Sequence, residues 1–158
     1  MTAKTAARRP TRDPSGRYSY VELFRASPLE RIEIIRGGVP ANEAKRMMAE
    51  LAIGQGAALK ALNLSQATVN KKAKQNQTLS PDESERVIGV AKLVGQLQAM
   101  IEESGEPEGF DPAAWISRWL VEPLPAFGGA RPVDLMDTME GQGLVSTALA
   151  RLQSGAYA

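Results

Sequence analysis

The side chains best equipped for chemistry in this 158-residue chain fall in one run, SQATVNKKAK, from Ser65 to Lys74. Hydroxyls, amides and ammonium groups recur there at helical spacing. Such groups hydrogen-bond to base edges and phosphates; they do not make or break bonds. The candidate DNA-contacting residues are therefore Ser65, Gln66, Ala67, Thr68, Asn70, Lys71, Lys72 and Lys74. Gln66 and Asn70 are types that read a base edge, whereas the lysines neutralise phosphate charge. Bond-making chemistry has little to work with. The chain contains no histidine and no cysteine, which removes the commonest general base, the commonest metal ligand and any disulfide or Cys-ligated metal. Glu102, Glu103, Glu106, Glu108 and Asp111 crowd one linker instead of converging from separate elements. The chain reads as a non-enzyme with no cofactor and no metal site.

Two short helices must position the run. Leu59, Leu62, Leu64 and Val69 are spaced to face one another across a turn. Asn63 sits where a helix-turn-helix needs a residue tolerant of left-handed backbone, and Ser65 falls at the N-cap of the second helix. The pattern predicts a helix-turn-helix whose second helix enters a DNA major groove. A solvated polar helix in an ordinary helical protein has the same local pattern.

The wider chain supports an all-α fold. Aromatic residues are 5% of the total, too few to suggest a β-rich core, and strong helix formers are plentiful. Residues 1–17 are polar and basic and read as a flexible arm. Ser27-Pro28-Leu29-Glu30 starts a helix whose buried side is expected from Leu29, Ile32 and Ile34 or Ile35, with Gly37-Gly38 ending it. Ala44, Met47, Met48, Leu51 and Ala52 carry the next helix, and Gly54-x-Gly56 reads only as a turn. Ser80, Pro81 and Glu83 form a capping-box signature, opening a helix to about Ser104, roughly 36 Å long. Its apolar stripe is broad enough to suggest both a core and a second subunit. Val87, Val90, Val94 and Leu97, with Trp115 and Trp119 beyond, are the candidate homodimer contacts. The expected organisation is an arm at 1–17, a helix-turn-helix domain at 18–79, a connecting and dimerising helix at 80–104, and a small helical domain at 105–158.

Charge divides along the same line. Residues 1–79 hold 14 Lys and Arg against 6 Asp and Glu, and residues 80–158 hold 5 against 12, within a net charge of +1. Such polarity suits a polyanion at one end and a different partner at the other. No apolar run approaches the roughly 20 residues needed to span a bilayer, and no apolar stretch follows the basic N-terminus. No membrane role is expected, and cytoplasm is the expected location.

The LNLSQATV turn, TLSPDESERVIGVAKL (78–93) and WLVEPLPAFGGARPVDLMDTMEGQGLVSTALARLQSGAYA (119–158) occur in one order. Together they resemble the Xre/MbcA/ParS-type antitoxins of bacterial RES–Xre toxin–antitoxin pairs, over about residues 28–158. The C-terminal part is the most specific, from Trp119-Leu120 through Pro132-x-Asp134-Leu135 to Gly155-x-Tyr157. The resemblance implies a dimeric, all-helical antitoxin. Its tail would cover the active site of a RES-domain toxin that degrades NAD, and the complex would repress its own promoter. Toxin contact is then expected at Arg131, Pro132, Asp134, Thr138, Glu140, Gly141, Tyr157 and Ala158. Asn63 stands where many relatives carry Gly, and the 1–17 arm has no counterpart in the pattern. A stand-alone helix-turn-helix regulator whose C-terminal half only dimerises is the alternative.

Overall fold

The computed structural model describes residues 12–105 and 108–155. Among them are α1 (Tyr20–Arg25), α2 (Pro28–Gly37), α3 (Ala41–Glu50), α4 (Gln55–Ala61), α5 (Gln66–Lys74), α6 (Pro81–Ser104), α7 (Pro112–Leu120) and α8 (Met139–Gln153). Short 3-10 turns cover Pro125–Phe127 and Pro132–Leu135, and the described residues form no β-strand beyond an isolated bridge between Pro40 and Thr78.

The expected starts are realised. Ser27 and Ser80 each accept a hydrogen bond from the third helical backbone N–H, while the Glu30 and Glu83 carboxylates accept one from the cap residue's own N–H. Each such cap stabilises its helix by about 1 kcal/mol. Asp111 caps α7 and Thr138 caps α8.

The 24-residue α6 is the spine of the molecule. α1 and α2 lie along it on one side, and α7 and α8 pack on it as well. Gly95 lets α1 approach, because a Cβ there would collide with the Tyr20 carbonyl. The broad apolar stripe is thereby consumed within one chain. Val87, Val90, Val94 and Leu97 are all buried, as is Trp119, and the core runs unbroken from Tyr18 to Leu149. The expectation that these residues face a second subunit is corrected: they hold α6 to its own neighbours. Trp115 stacks on Trp119 with ring centroids 6.1 Å apart and is half-buried.

α2 also departs from expectation. None of its residues is fully buried; Leu29 is 75% and Ile32 38% exposed, and only Ile34 and Ile35 pack against the core. The helix is a single layer on the outside of α6, so its apolar arc is wider than the face it covers.

Of the N-terminal arm, residues 1–11 lie outside the described residues. Residues 12–17 form a closed turn in which the Asp13 carboxylate accepts from the Ser15 and Arg17 N–H groups. Arg12 lies over the Tyr18 ring, 4.6 Å from its centroid, and donates to its hydroxyl at 2.7 Å. No helix among the described residues is long and apolar enough to cross a membrane.

Candidate nucleic-acid and protein interfaces

The helix-turn-helix is built from α4 and α5 with α3 packed behind both. Leu59, Leu62, Leu64 and Val69 are buried across the turn. Asn63 adopts φ 54°, the left-handed region in which Asn is tolerated, and Ser65 accepts from the Thr68 N–H at 3.2 Å. The unit is also tied at its ends. Leu79 N–H donates to Val39 at 2.8 Å and Ala41 N–H to Gln77 at 3.0 Å, so the chain entering α3 pairs with the chain leaving α5. Ser84 of α6 adds a hydroxyl that accepts from the Val39 N–H at 2.8 Å.

On α5 the predicted contacts separate into three groups. Ser65, Gln66, Ala67, Thr68, Lys71 and Lys74 are exposed. Lys72 is half-buried and bound to Glu83 at 2.8 Å. Burial alone would raise the Glu83 carboxyl pKa, but hydrogen bonds from Lys72 and Ser80 outweigh it and hold it below its ordinary value. Lys72 is thus a strut between α5 and α6. Asn70 is half-buried, and its Oδ1 is buried with no partner. It sits at the edge of the face instead of on it. The exposed candidates with polar or charged side chains are then Gln66 and Thr68 in the first turn of α5 and Lys71 and Lys74 in its last.

Gly56 is a contributor that the sequence did not reveal. A Cβ there would stand 3.3 Å from the Gln66 side-chain oxygen, so the glycine leaves the Gln66 amide room to lie over the start of α4. Its spacing from Gly54 reads as a turn, and the clue lay eleven positions downstream of Gln55, where Gln66 opens the second helix.

The C-terminal candidates sort differently. After α7 the chain turns through Gly128 and Gly129, both at positive φ, and closes with Leu124 N–H donating to Ala130 at 3.1 Å. Arg131 and Asp134 are exposed and joined at 2.9 Å. That hydrogen-bonded pairing lowers the Asp134 carboxyl pKa and raises that of Arg131. Pro132 is buried, and Gly141 is buried where a Cβ would collide with the Leu135 carbonyl. Both are corrected from contact residues to packing residues. Thr138 is exposed but spends its hydroxyl on the Gly141 N–H at 3.0 Å; Glu140 is exposed. Tyr157 and Ala158 lie outside the described residues. A groove of about 440 Å3 joins the two regions, lined by Ala57 and Lys60 of α4 and by Arg131, Asp134 and Asp137.

An ion-pair cluster anchors α1 to α3. Buried Glu43 pairs with Arg46, which also reaches Glu50 at 2.7 Å; Glu50 accepts from the Tyr20 hydroxyl. Burial, followed by that carboxylate, raises the Tyr20 pKa. Every group is satisfied by its neighbours, so the cluster reads as structural.

Two family models match successive stretches of the chain. Residues 30–92 match the antitoxin Xre-like helix-turn-helix domain, and residues 105–155 match the antitoxin Xre/MbcA/ParS C-terminal toxin-binding domain. A protein of Sphingobium sp. (strain YBL2) named Prs ADP-ribosylating antitoxin is 55% identical over 155 residues, which is 98% of each chain. The antitoxin Xre of Pseudomonas putida is 26% identical over 88 residues, 56% of this chain and 50% of that protein.

Proposed function

Because the chain belongs to the antitoxin family that joins an Xre-like helix-turn-helix to a C-terminal toxin-binding domain, we propose that it neutralises a RES-domain toxin and represses its own operon. The toxin's chemistry is the consumption of NAD. In support, the Sphingobium relative's name speaks of ADP-ribosylation, a transfer for which NAD is the usual donor.

Neutralisation works by coverage. The segment after α8, with Tyr157 and Ala158, enters the toxin's substrate cleft. Arg131, Asp134 and Glu140 meet the toxin surface beside it, on an edge that Pro132, Thr138 and Gly141 hold in shape. Repression works through α5, with Lys71 and Lys74 on phosphates and Gln66 and Thr68 at base edges. A second copy of the chain seats on outer faces, since the α6 stripe is spent inside.

The observation that carries this reading is the free chemistry of α5. The Gln66 amide and the Lys71 and Lys74 ammonium groups are exposed on a helix whose buried residues are Val69 and Ala73. The test is co-expression of the toxin with either the full chain or a chain ending at Gly155. The full chain restores growth and the shortened one does so poorly, while both retard promoter DNA equally. Equal rescue removes the tail from the mechanism; no retardation by the full chain, alone or with toxin, removes autorepression.

A further inference from the structure

Lys92 is the lone charge in the apolar run from Val87 to Met100. It is half-buried and lines a groove of about 280 Å3 shared by α1, α2, α6 and α8. Arg31 of α2 lines the same groove, its guanidinium held by the carbonyls of Leu23, Phe24 and Ala26 at the end of α1. The neutral polar lining is already engaged. Gln96 bonds both the hydroxyl and the carbonyl of Ser146, at 2.7 and 3.0 Å, and the Gln142 amide donates to Met136 at 3.0 Å and Arg86 at 3.2 Å. No carboxylate lines the groove. Burial first, and Arg31 second, lower the Lys92 pKa. A partly desolvated ammonium beside a guanidinium is costly until an anion completes the site.

The rim indicates what kind of anion. Met139 of α8, 53% exposed, lines the groove together with Phe24 and Leu93. Gly143 leaves open space where a side chain would project. A free inorganic anion would use the cations and gain nothing from this apolar border. A protein surface carrying a carboxylate amid apolar residues uses both. The α8 wall belongs to the stretch that matches the toxin-binding domain, while Arg31 and Lys92 belong to the stretch that matches the helix-turn-helix domain.

We propose that this groove is a second docking site for the toxin, which inserts an aspartate or glutamate side chain between Lys92 and Arg31 and lays apolar surface on Met139. The inference rests on the antitoxin reading and extends toxin contact beyond residues 105–155. It is independent of the C-terminal tail.

The experiment titrates full-length chain with a catalytically inactive form of the toxin encoded beside it, comparing wild type with Lys92→Met and Lys92→Glu. Lys92→Met is expected to weaken the complex on the order of tenfold and to flatten its salt dependence, and Lys92→Glu to weaken it further. A charge-reversed toxin carboxylate should restore binding to Lys92→Glu. Promoter binding stays unchanged, and the Lys92→Met melting temperature stays level or rises, because an uncompensated charge has been removed; a merely structural lysine would lower it. Wild-type binding undiminished in Lys92→Met overturns the inference and leaves the antitoxin reading intact. Failure of wild type to bind the toxin overturns both. Dissociation of a homodimer by Lys92→Glu with toxin affinity per chain unaltered gives the groove to a second copy. Phosphate that raises the melting temperature of wild type, with toxin affinity unaltered in Lys92→Met, gives it to a small anion; either result overturns the proposal.

Discussion

On α5, the residues that hold the helix and the residues that face outward are different residues. Val69 and Ala73 pack, Ser65 caps, Lys72 braces, and Gln66, Thr68, Lys71 and Lys74 are left over. In the segment from Arg131 to Gly141, packing and presentation alternate within a few positions. Pro132 and Gly141 are buried, Thr138 is engaged in its cap, and Arg131 and Asp134 are tied to each other. The contrast follows from geometry. A helix separates its faces by periodicity, so one side can change without disturbing the other. A 3-10 turn followed by a capped helix start has no such separation, and a substitution there alters shape and contact together.

That contrast can be broken most forcefully at Gly141. Gly141→Ala places a Cβ against the Leu135 carbonyl, a backbone atom that cannot swing aside. It should cost about 2–3 kcal/mol, lowering the melting temperature by roughly 5–10 °C. Unchanged melting with lost toxin binding would make Gly141 a contact residue after all. On the other region, Gln66→Ala should leave the melting temperature alone and relax base preference at one operator position by about 1–3 kcal/mol. Uniform weakening across all sequences would move Gln66 to the phosphate group. Lys71→Ala and Lys74→Ala should each weaken DNA binding at every sequence and reduce the salt slope by about 1.

Lys72 sharpens the comparison with the smallest effect. Glu83 is held below its ordinary carboxyl pKa, so the stability it contributes is present at neutral pH and is lost as pH falls below about 4.5 toward its folded value. Lys72→Met should therefore lower stability at pH 7 by about 1 kcal/mol or less and narrow the gap between pH 7 and pH 3 in urea unfolding. Its effect on DNA affinity should be smaller than that of Lys71→Ala. An equal loss from both would return Lys72 to the binding face.

Much of the fold was legible because its signals are local. Ser27 with Glu30, Ser80 with Glu83, Asp111-Pro112 and Asn63 each announce a backbone conformation through chemistry within three or four residues, and each is found in place. The α6 stripe was legible as apolar, but what would cover it was not. Periodicity reports that Val87, Val90, Val94 and Leu97 need a neighbour; it does not say whether that neighbour is α1 and α8 or another chain. α2 misled for the complementary reason, since Leu29 and Ile32 have helical spacing without a surface to meet. Lys72 and Lys71 are indistinguishable by type, and only the carboxylate eleven residues after Lys72 separates a strut from a free cation.

One oxygen atom of Glu83 receives both the Lys72 ammonium and the Ser80 backbone N–H, at 2.8 and 2.9 Å. The same atom that starts the long helix therefore also ties α5 to it. Fraying the opening turn of α6 would loosen its strut to α5, and anything that stiffens that turn would brace α5 in return. The start of the rod and the pose of its neighbour are in that way held by a single atom.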